Sequence, residues 1–286
     1  MTTPRRQLVA EATRRLREAG AASPEYDAAE LLAHVLGTTR GRLVLVEEVE
    51  QAQTESYREL VERRSAREPL QHLTGVAYFR HVELAVGPGV FVPRPETELL
   101  AGWAIEELAR AVAAGRREPV VVDLCTGSGA IAKSIKDEVP SAHVYAVELS
   151  EDAFAWADRN LAGTGVELRQ GDMAAAFPDL EGEVDVVVCN PPYIPLEAWE
   201  SVAVEARDHD PHLALFSGDD GLDAIRVLER RAARLLRPGG VVGAEHADEQ
   251  GSLAPAVFSS TGRWSDVRDH DDLAGRPRFV TARLAR

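Results

Sequence analysis

The chain has 286 residues, 45% of them hydrophobic, a formal net charge of −15 and two cysteines. That length supports one large domain plus a small one. The absence of an 18-residue apolar run argues against a membrane span, and two cysteines make neither a disulfide framework nor a metal cluster.

The charge is unevenly spread. Residues 1–80 hold 12 Arg/Lys and 12 Asp/Glu, whereas residues 81–286 hold 20 and 35. The larger part repels phosphate at long range, which argues against a nucleic-acid partner. The start, MTTPRRQLVAEATRRL, lacks a signal-peptide core, so a cytoplasmic location is expected.

Leu8, Ala12 and Leu16 repeat at helix spacing. SPEYDAAELLAHVLG follows as a punctuated helix, with Ser23 as its cap, Pro24 in its first turn and Gly37 past its end. Residues 53–67 predict a third, charged helix. Together these form a small helical bundle, expected over 1–73. Residues 75–93, GVAYFRHVELAVGPGVFVP, alternate and carry β-formers, which predicts a hairpin within a 74–94 linker. RPETELLAGWAIEELARAV then opens a helix, with Pro95 near its start and Glu96 and Glu98 at its positive end.

From residue 119 the pattern becomes strand, loop, helix, repeated. Strands are predicted at 120–125, 143–149, 166–170, 184–190 and 239–246. Helices are predicted near 128–138, 151–162, 220–236 and 248–258. Such alternation implies an α/β domain over 95–286, with a parallel sheet covered on both faces. WSDVRDH and RPRFVTARL read as two closing strands forming an antiparallel edge.

VVVDLCTGSGAIA runs from strand into helix, with Gly127, Gly129 and Ala132 fitting G-x-G-x-x-[GA]. Small residues there permit a tight turn and a close backbone approach to a ligand at a helix N-terminus. Glu148 ends the next strand about twenty residues on, where a carboxylate accepts both ribose hydroxyl hydrogens. Asp172 and Met173 follow the third strand, suited to an adenine edge and face. These features fit an adenosine cofactor without separating a nicotinamide dinucleotide from S-adenosylmethionine.

VVVCNPPYIP, residues 186–195, separates them. Two prolines end the strand in a stiff loop at the sheet's carboxyl edge. The oxygens of the Asn190 side chain and the Pro191 backbone can each accept one hydrogen of a planar amide or amino group. Pro192 stiffens the turn, and Tyr193 can stack on the acceptor. Withdrawing those hydrogens localises a nitrogen lone pair for methyl transfer. His209 and His212 form H-x-x-H without further ligands and are expected as loop or cap residues; no metal is expected. Cys125 and Cys189 are expected as small buried packing residues.

These motifs resemble the peptide chain release factor N5-glutamine methyltransferases, the HemK/PrmC family. EPLQHLTGVAYF, PGVFVPRPETELL, DLCTGSGAIA, NPPYIP, HDPHLALFSGDDGLDAIR and DLAGRPRFVTAR carry the resemblance across nearly the whole chain. N-P-P-Y alone is shared with adenine-N6 methyltransferases of DNA and RNA, which stand as the alternative.

The resemblance implies a seven-stranded Rossmann-like class I methyltransferase sheet, S-adenosylmethionine as cofactor and S-adenosylhomocysteine as product. It also implies a substrate, the Gly-Gly-Gln glutamine of class-1 release factors, and with it a role in translation termination. Cys125, Thr126, Gly127, Ser128, Gly129, Glu148, Asp172, Met173 and Asn190 would bind cofactor. Asn190, Pro191, Pro192 and Tyr193 would hold the glutamine, with Phe91, Pro93, Arg94 and Glu96 walling the site. The helical front domain would recognise the release factor body, and a monomer is expected. Two positions depart from the family pattern: Cys125 stands where glycine is most common, and His246 interrupts a more regular acidic–isoleucine–glycine run.

Overall fold

The computed structural model describes Thr2–Ala285 and divides into two compact units. The first comprises residues 1–76 and 203–209, the second residues 77–202 and 210–286. The hairpin expected within a linker thus belongs, from Ala77 onward, to the second unit, and residues 203–209 to the first.

In the first unit, β1 (Thr2–Pro4) pairs antiparallel with β2 (Glu48–Glu50), a strand pair absent from the sequence reading. The helices are α1 (Arg5–Glu18), α2 (Pro24–Val35), α3 (Gln51–Ser65) and α4 (Leu70–Thr74). Leu8, Ala12 and Leu16 are buried as their spacing predicts, against Leu31, Leu32, Tyr57 and Val61. Ser23 precedes α2, but its side chain makes no capping bond; Pro24 takes the first helical position.

Charged groups then fix the end of α3. Arg64 pairs with buried Asp27 at 2.8 Å and reaches Glu205 at 3.2 Å, while Arg67 grips Glu205 through two bonds of 2.8 and 2.6 Å. Burial pushes the Glu205 carboxyl up, but bonds from Arg67 and Arg64 outweigh it and leave the group below its ordinary range.

The hairpin of β3 (Val76–Phe79) and β4 (Val82–Ala85), in the second unit from Ala77 onward, comes next, then α5 (Thr97–Ala113). Next come β5 (Val120–Leu124), α6 (Ala130–Glu138), β6 (His143–Glu148), α7 (Glu151–Leu161), β7 (Glu167–Gln170) and β8 (Val184–Cys189). α8 (Val204–His209) is the segment that folds with the first unit. α9 (His212–Leu215), α10 (Asp223–Leu235), β9 (Leu236–Glu245), α11 (Leu253–Ser259), β10 (Trp264–Asp271) and β11 (Pro277–Leu284) complete the chain.

Seven strands form one sheet in the order β10-β11-β9-β8-β5-β6-β7. β5 to β9 run parallel, and β11 is antiparallel to both β9 and β10. Every residue of β8 is buried, as a central strand covered on both faces requires. One core on the sheet gathers α5, α6 and α7 with the hairpin; another gathers α10 and α11 with Phe177 and Trp264.

From β5 the chain builds outward through β6 and β7, then returns to lay β8 on the other side of β5. That reversal opens a crevice at the carboxyl ends of β5 and β8, the place where open α/β sheets bind ligands. No helix among the described residues is long and apolar enough to cross a membrane.

Candidate active site

The loop after β5 is shaped mainly by backbone. Gly127 and Gly129 have φ of 57° and 83°, and a Cβ built at Gly127 meets nothing within 4 Å, so space stands open before the loop. The two Glu148 oxygens accept from the N–H groups of Gly127 at 2.8 Å and Ser150 at 2.9 Å, which fixes the carboxylate at the tip of β6. Beneath the loop, buried Asp123 accepts from the Thr126 hydroxyl at 2.6 Å and from the Ala132 N–H at 3.2 Å. Burial raises its pKa to about 7 in spite of those bonds. Asn160 donates to the Ser128 and Ala85 carbonyls, tying the loop to the hairpin.

Cys125 corrects one expectation. It is only partly buried and holds φ of 64°, a left-handed geometry that costs a residue with a Cβ roughly 1 kcal/mol or more. Glycine adopts that geometry freely, which is a physical reason for glycine at this point. The Cys125 sulfur lies 3.6 Å from that of Met173, so the two soft side chains line one side of the loop. Cys189 is fully buried, and burial pushes its thiol up. Asp172 is exposed and accepts from the Ala174 N–H at 2.8 Å, starting a short turn that holds Met173 in place.

The loop after β8 is held differently, by side chains from distant segments. Asn190 donates from Nδ2 to the Thr97 hydroxyl at 3.2 Å, leaving Oδ1 as the end not used by that bond. The Tyr193 hydroxyl donates to Oε1 of Glu245, the last residue of β9, at 3.1 Å. Gln250 donates to the Tyr193 carbonyl at 3.0 Å. Gly221, at φ 74°, lies so close beneath that an added Cβ would stand 2.2 Å from the same carbonyl. Ile194 donates to the Leu215 carbonyl, and its own carbonyl accepts from Ser217.

Glu245 is 1% exposed, and burial raises its pKa; the Thr97 hydroxyl, the Tyr193 hydroxyl and Arg278 act in the opposite sense. Its Oε2 has no hydrogen-bond partner. Burial is also the main reason that the Tyr193 hydroxyl is shifted upward, with the charge of Glu245 second.

Of the residues expected as a wall, Arg94 is committed to structure. It pairs with Asp210 at 2.7 Å and sits 4.9 Å from the centre of the Phe91 ring. Asp210 is buried, which raises its pKa to about 6 although the Arg94 charge and the Val92 N–H oppose the shift. Pro93 and Glu96 are both partly buried, and Glu96 is close enough to raise the Glu245 pKa further. The Asn190–Thr97 bond ties the start of α5, directly after this wall, to the loop following β8.

The sequence reading brought out Asn190, Pro191, Pro192 and Tyr193 but missed Thr97, Asp210, Gly221, Glu245 and Gln250. Their spacing from N-P-P-Y carries no signal, since each arrives from another segment. The run Gly-Gly-Val-Val-Gly-Ala-Glu before His246 was the one available hint, an acid at the tip of an apolar strand.

His212 packs its ring 4.8 Å from Trp199 and 5.8 Å from Phe216, while His209 ends α8 in the other unit. His246 is buried between the Ala247 carbonyl at 2.8 Å and Asp269 at 2.9 Å. No cluster of three or more His, Cys, Asp or Glu suited to a metal ion occurs among the described residues.

The space before Gly127, the fixed Glu148 and the half-buried Met173 together fit an adenosine-bearing group. Residues 7–75 match the family described as the PrmC N-terminal domain, and residues 121–209 match a methyltransferase domain family. The chain is 61% identical over 277 residues to the release factor glutamine methyltransferase of Streptomyces coelicolor, covering 97% of each chain. It is 50% identical over 205 residues to the 4-amino-L-phenylalanine/4-methylamino-L-phenylalanine methyltransferase of Streptomyces pristinaespiralis, covering 72% of this chain and 70% of that one.

Among solved structures, the hMettl16 catalytic domain in complex with a MAT2A 3′UTR hairpin shares the fold. Its TM-score is 0.53 at 14% identity, over 71% of this chain and 75% of that one. The seven-stranded class I methyltransferase sheet, the front domain and the full-length identity agree: the chain belongs to the release factor glutamine methyltransferase family, HemK/PrmC.

Proposed function

We propose that the protein transfers a methyl group from S-adenosylmethionine to the side-chain amide nitrogen of the Gly-Gly-Gln glutamine in class-1 release factors, and so supports translation termination. The observation that carries this reading is the commitment of Asn190 Nδ2 to Thr97, which leaves Oδ1 to accept from a planar amide. When bound, the cofactor supplies a sulfonium-activated methyl group and departs as S-adenosylhomocysteine.

The protein's part is to seat and activate the acceptor. Glu148 would take the ribose hydroxyls, Met173 and Asp172 would border the adenine, and residues Cys125 to Gly129 would approach the cofactor through backbone. Asn190 Oδ1 and the Pro191 carbonyl each accept one amide hydrogen, which frees the nitrogen lone pair from resonance and aims it at the methyl carbon. Both acceptors strengthen as positive charge grows on nitrogen, so they favour the transition state over the ground state. The proton leaves nitrogen after transfer, so no separate base has to act before attack. The Tyr193 ring, anchored by its hydroxyl, offers a flat face to the amide.

A small aromatic amine is the second reading, motivated by the named activity of the Streptomyces pristinaespiralis relative. The PrmC N-terminal domain match at residues 7–75 and the 97% coverage of the Streptomyces coelicolor relative favour the protein substrate. Mass spectrometry of a purified bacterial class-1 release factor after incubation with S-adenosylmethionine tests it. A 14-Da gain on the Gly-Gly-Gln peptide is expected, and it should vanish with Asn190→Ala. Methyl transfer to 4-aminophenylalanine or to nucleic-acid adenine, with the release factor untouched, would overturn the assignment.

A further inference from the structure

We propose that Thr97 and Glu245 are positioning residues that fix which end of the Asn190 amide faces the methyl acceptor. An asparagine side chain presents a carbonyl at one end and an amino group at the other, and a half-turn about its last bond exchanges them. Only the carbonyl can accept the acceptor's hydrogen. Something must therefore forbid the flipped state.

Thr97 does so through the polarity of its hydroxyl. Its oxygen accepts from Asn190 Nδ2 at 3.2 Å. A hydroxyl can also donate, and a hydroxyl that turned its hydrogen toward Asn190 would favour the flipped amide. Glu245 removes that option. Its carboxylate is 1% exposed, keeps one oxygen without a well-formed partner and has the 4% exposed Thr97 hydroxyl as a neighbour. A buried carboxylate in this position draws the Thr97 hydrogen to itself. Directionality then passes from Glu245 to Thr97 to Asn190.

The same carboxylate accepts from Tyr193 at 3.1 Å, so one buried acid on β9 orients both the amide and the ring of the loop after β8. Arg278 and Glu96 are the other charged groups felt at Glu245, and Arg278 is itself tied to Asp272 at 3.2 Å.

This inference rests on the reading that Asn190 Oδ1 accepts from the substrate amide. The test compares full-length wild type with Thr97→Val, Thr97→Ser and Glu245→Gln, using S-adenosylmethionine and a purified class-1 release factor. Valine keeps the shape but removes the acceptor. It should lower kcat by roughly 100-fold through misorientation, with the KM for release factor nearly unchanged, because most of the factor's contacts lie elsewhere. Serine restores the hydroxyl and should recover most of the loss.

Glu245→Gln places an N–H₂ beside Thr97, which can reverse the relay; a kcat loss of about 10-fold or more is expected. Binding of S-adenosylmethionine by calorimetry should be equal in all four proteins, which separates a positioning role from a folding defect. If wild type methylates the factor while Thr97→Val keeps its kcat, or serine fails to rescue, the proposal falls and the assigned activity stands. If wild type leaves the factor unmodified, the activity itself is wrong and the proposal falls with it.

Discussion

Glu148 and Glu245 are both buried carboxylates at the carboxyl tips of parallel strands, yet they are held in opposite ways. Glu148, on β6, is bound through both oxygens by backbone N–H groups no more than 21 residues away. Glu245, on β9, meets only side chains, those of Tyr193 and Thr97, with one oxygen left without a full bond. Backbone donors come with the turn itself, so the first acid is fixed once its loop forms. The second depends on three segments arriving together. The Glu148 carboxylate is therefore insensitive to substitution of neighbouring side chains, whereas the Glu245 carboxylate is not.

The comparison breaks most sharply at Asn190. On the proposed function, Asn190→Ala removes an acceptor that strengthens in the transition state and should cost roughly 100-fold or more in kcat, while S-adenosylmethionine binding measured by calorimetry stays within a few-fold. Next comes Gly221→Ala. Its Cβ would meet the Tyr193 carbonyl at 2.2 Å in a backbone held at φ 74°, so the loop must move. An activity loss of about 100-fold is expected from a shift near 1 Å, together with a lower midpoint of thermal unfolding.

Glu148→Ala should act on the other side. It removes a charged acceptor and should weaken cofactor affinity by roughly 10- to 100-fold, with kcat at saturating cofactor much less affected. Equal losses from Glu148→Ala and Asn190→Ala in both affinity and kcat would erase the distinction between the two sides.

Asp210 sharpens the acceptor side through pH. Its pKa of about 6 in the folded protein lies above the ordinary 3.8, so the folded state holds the proton more tightly than the unfolded one. Through this group, stability rises as pH falls from about 6 toward 4, and its destabilising effect is fully present above pH 6. The Arg94 pairing behaves oppositely: protonation weakens it as pH drops through 6. An acid limb near pH 6 in the rate profile is expected, absent in Asp210→Asn, with no matching loss of folded protein.

The smallest effect on catalysis belongs to the first unit. Arg67→Ala removes the two bonds to Glu205, which are partly exposed, and should cost about 1–2 kcal/mol in urea unfolding while the affinity for S-adenosylmethionine is unchanged.

Much of the architecture was legible because periodicity reports burial. Val120 to Leu124 and Val184 to Cys189 read as strands because a central parallel strand must be apolar on both faces, and both lie where expected. The closing pair β10 and β11 is antiparallel as anticipated. The glycine loop and Glu148 were legible for another reason: turn and acid sit at a spacing set by one strand–helix–strand passage. Ser23 failed as a cap because its hydroxyl makes no bond to the first turn of α2. β1 and β2, three residues each, were too short to leave a periodic trace.

Local sequence thus determined the strands, the left-handed glycine turn, the stiff Asn-Pro-Pro-Tyr loop and the acid facing the glycines. Each depends on neighbours within one or two elements, where backbone geometry alone decides. Tertiary structure alone decided which end of the Asn190 amide is tethered, what anchors the Tyr193 hydroxyl, and that Arg94 is clamped by Asp210. Those partners lie 93, 52 and 116 residues apart along the chain, respectively. A hydrogen bond's direction depends on distance and angle in space, and no pattern along the chain encodes that until the sheet has brought the segments together.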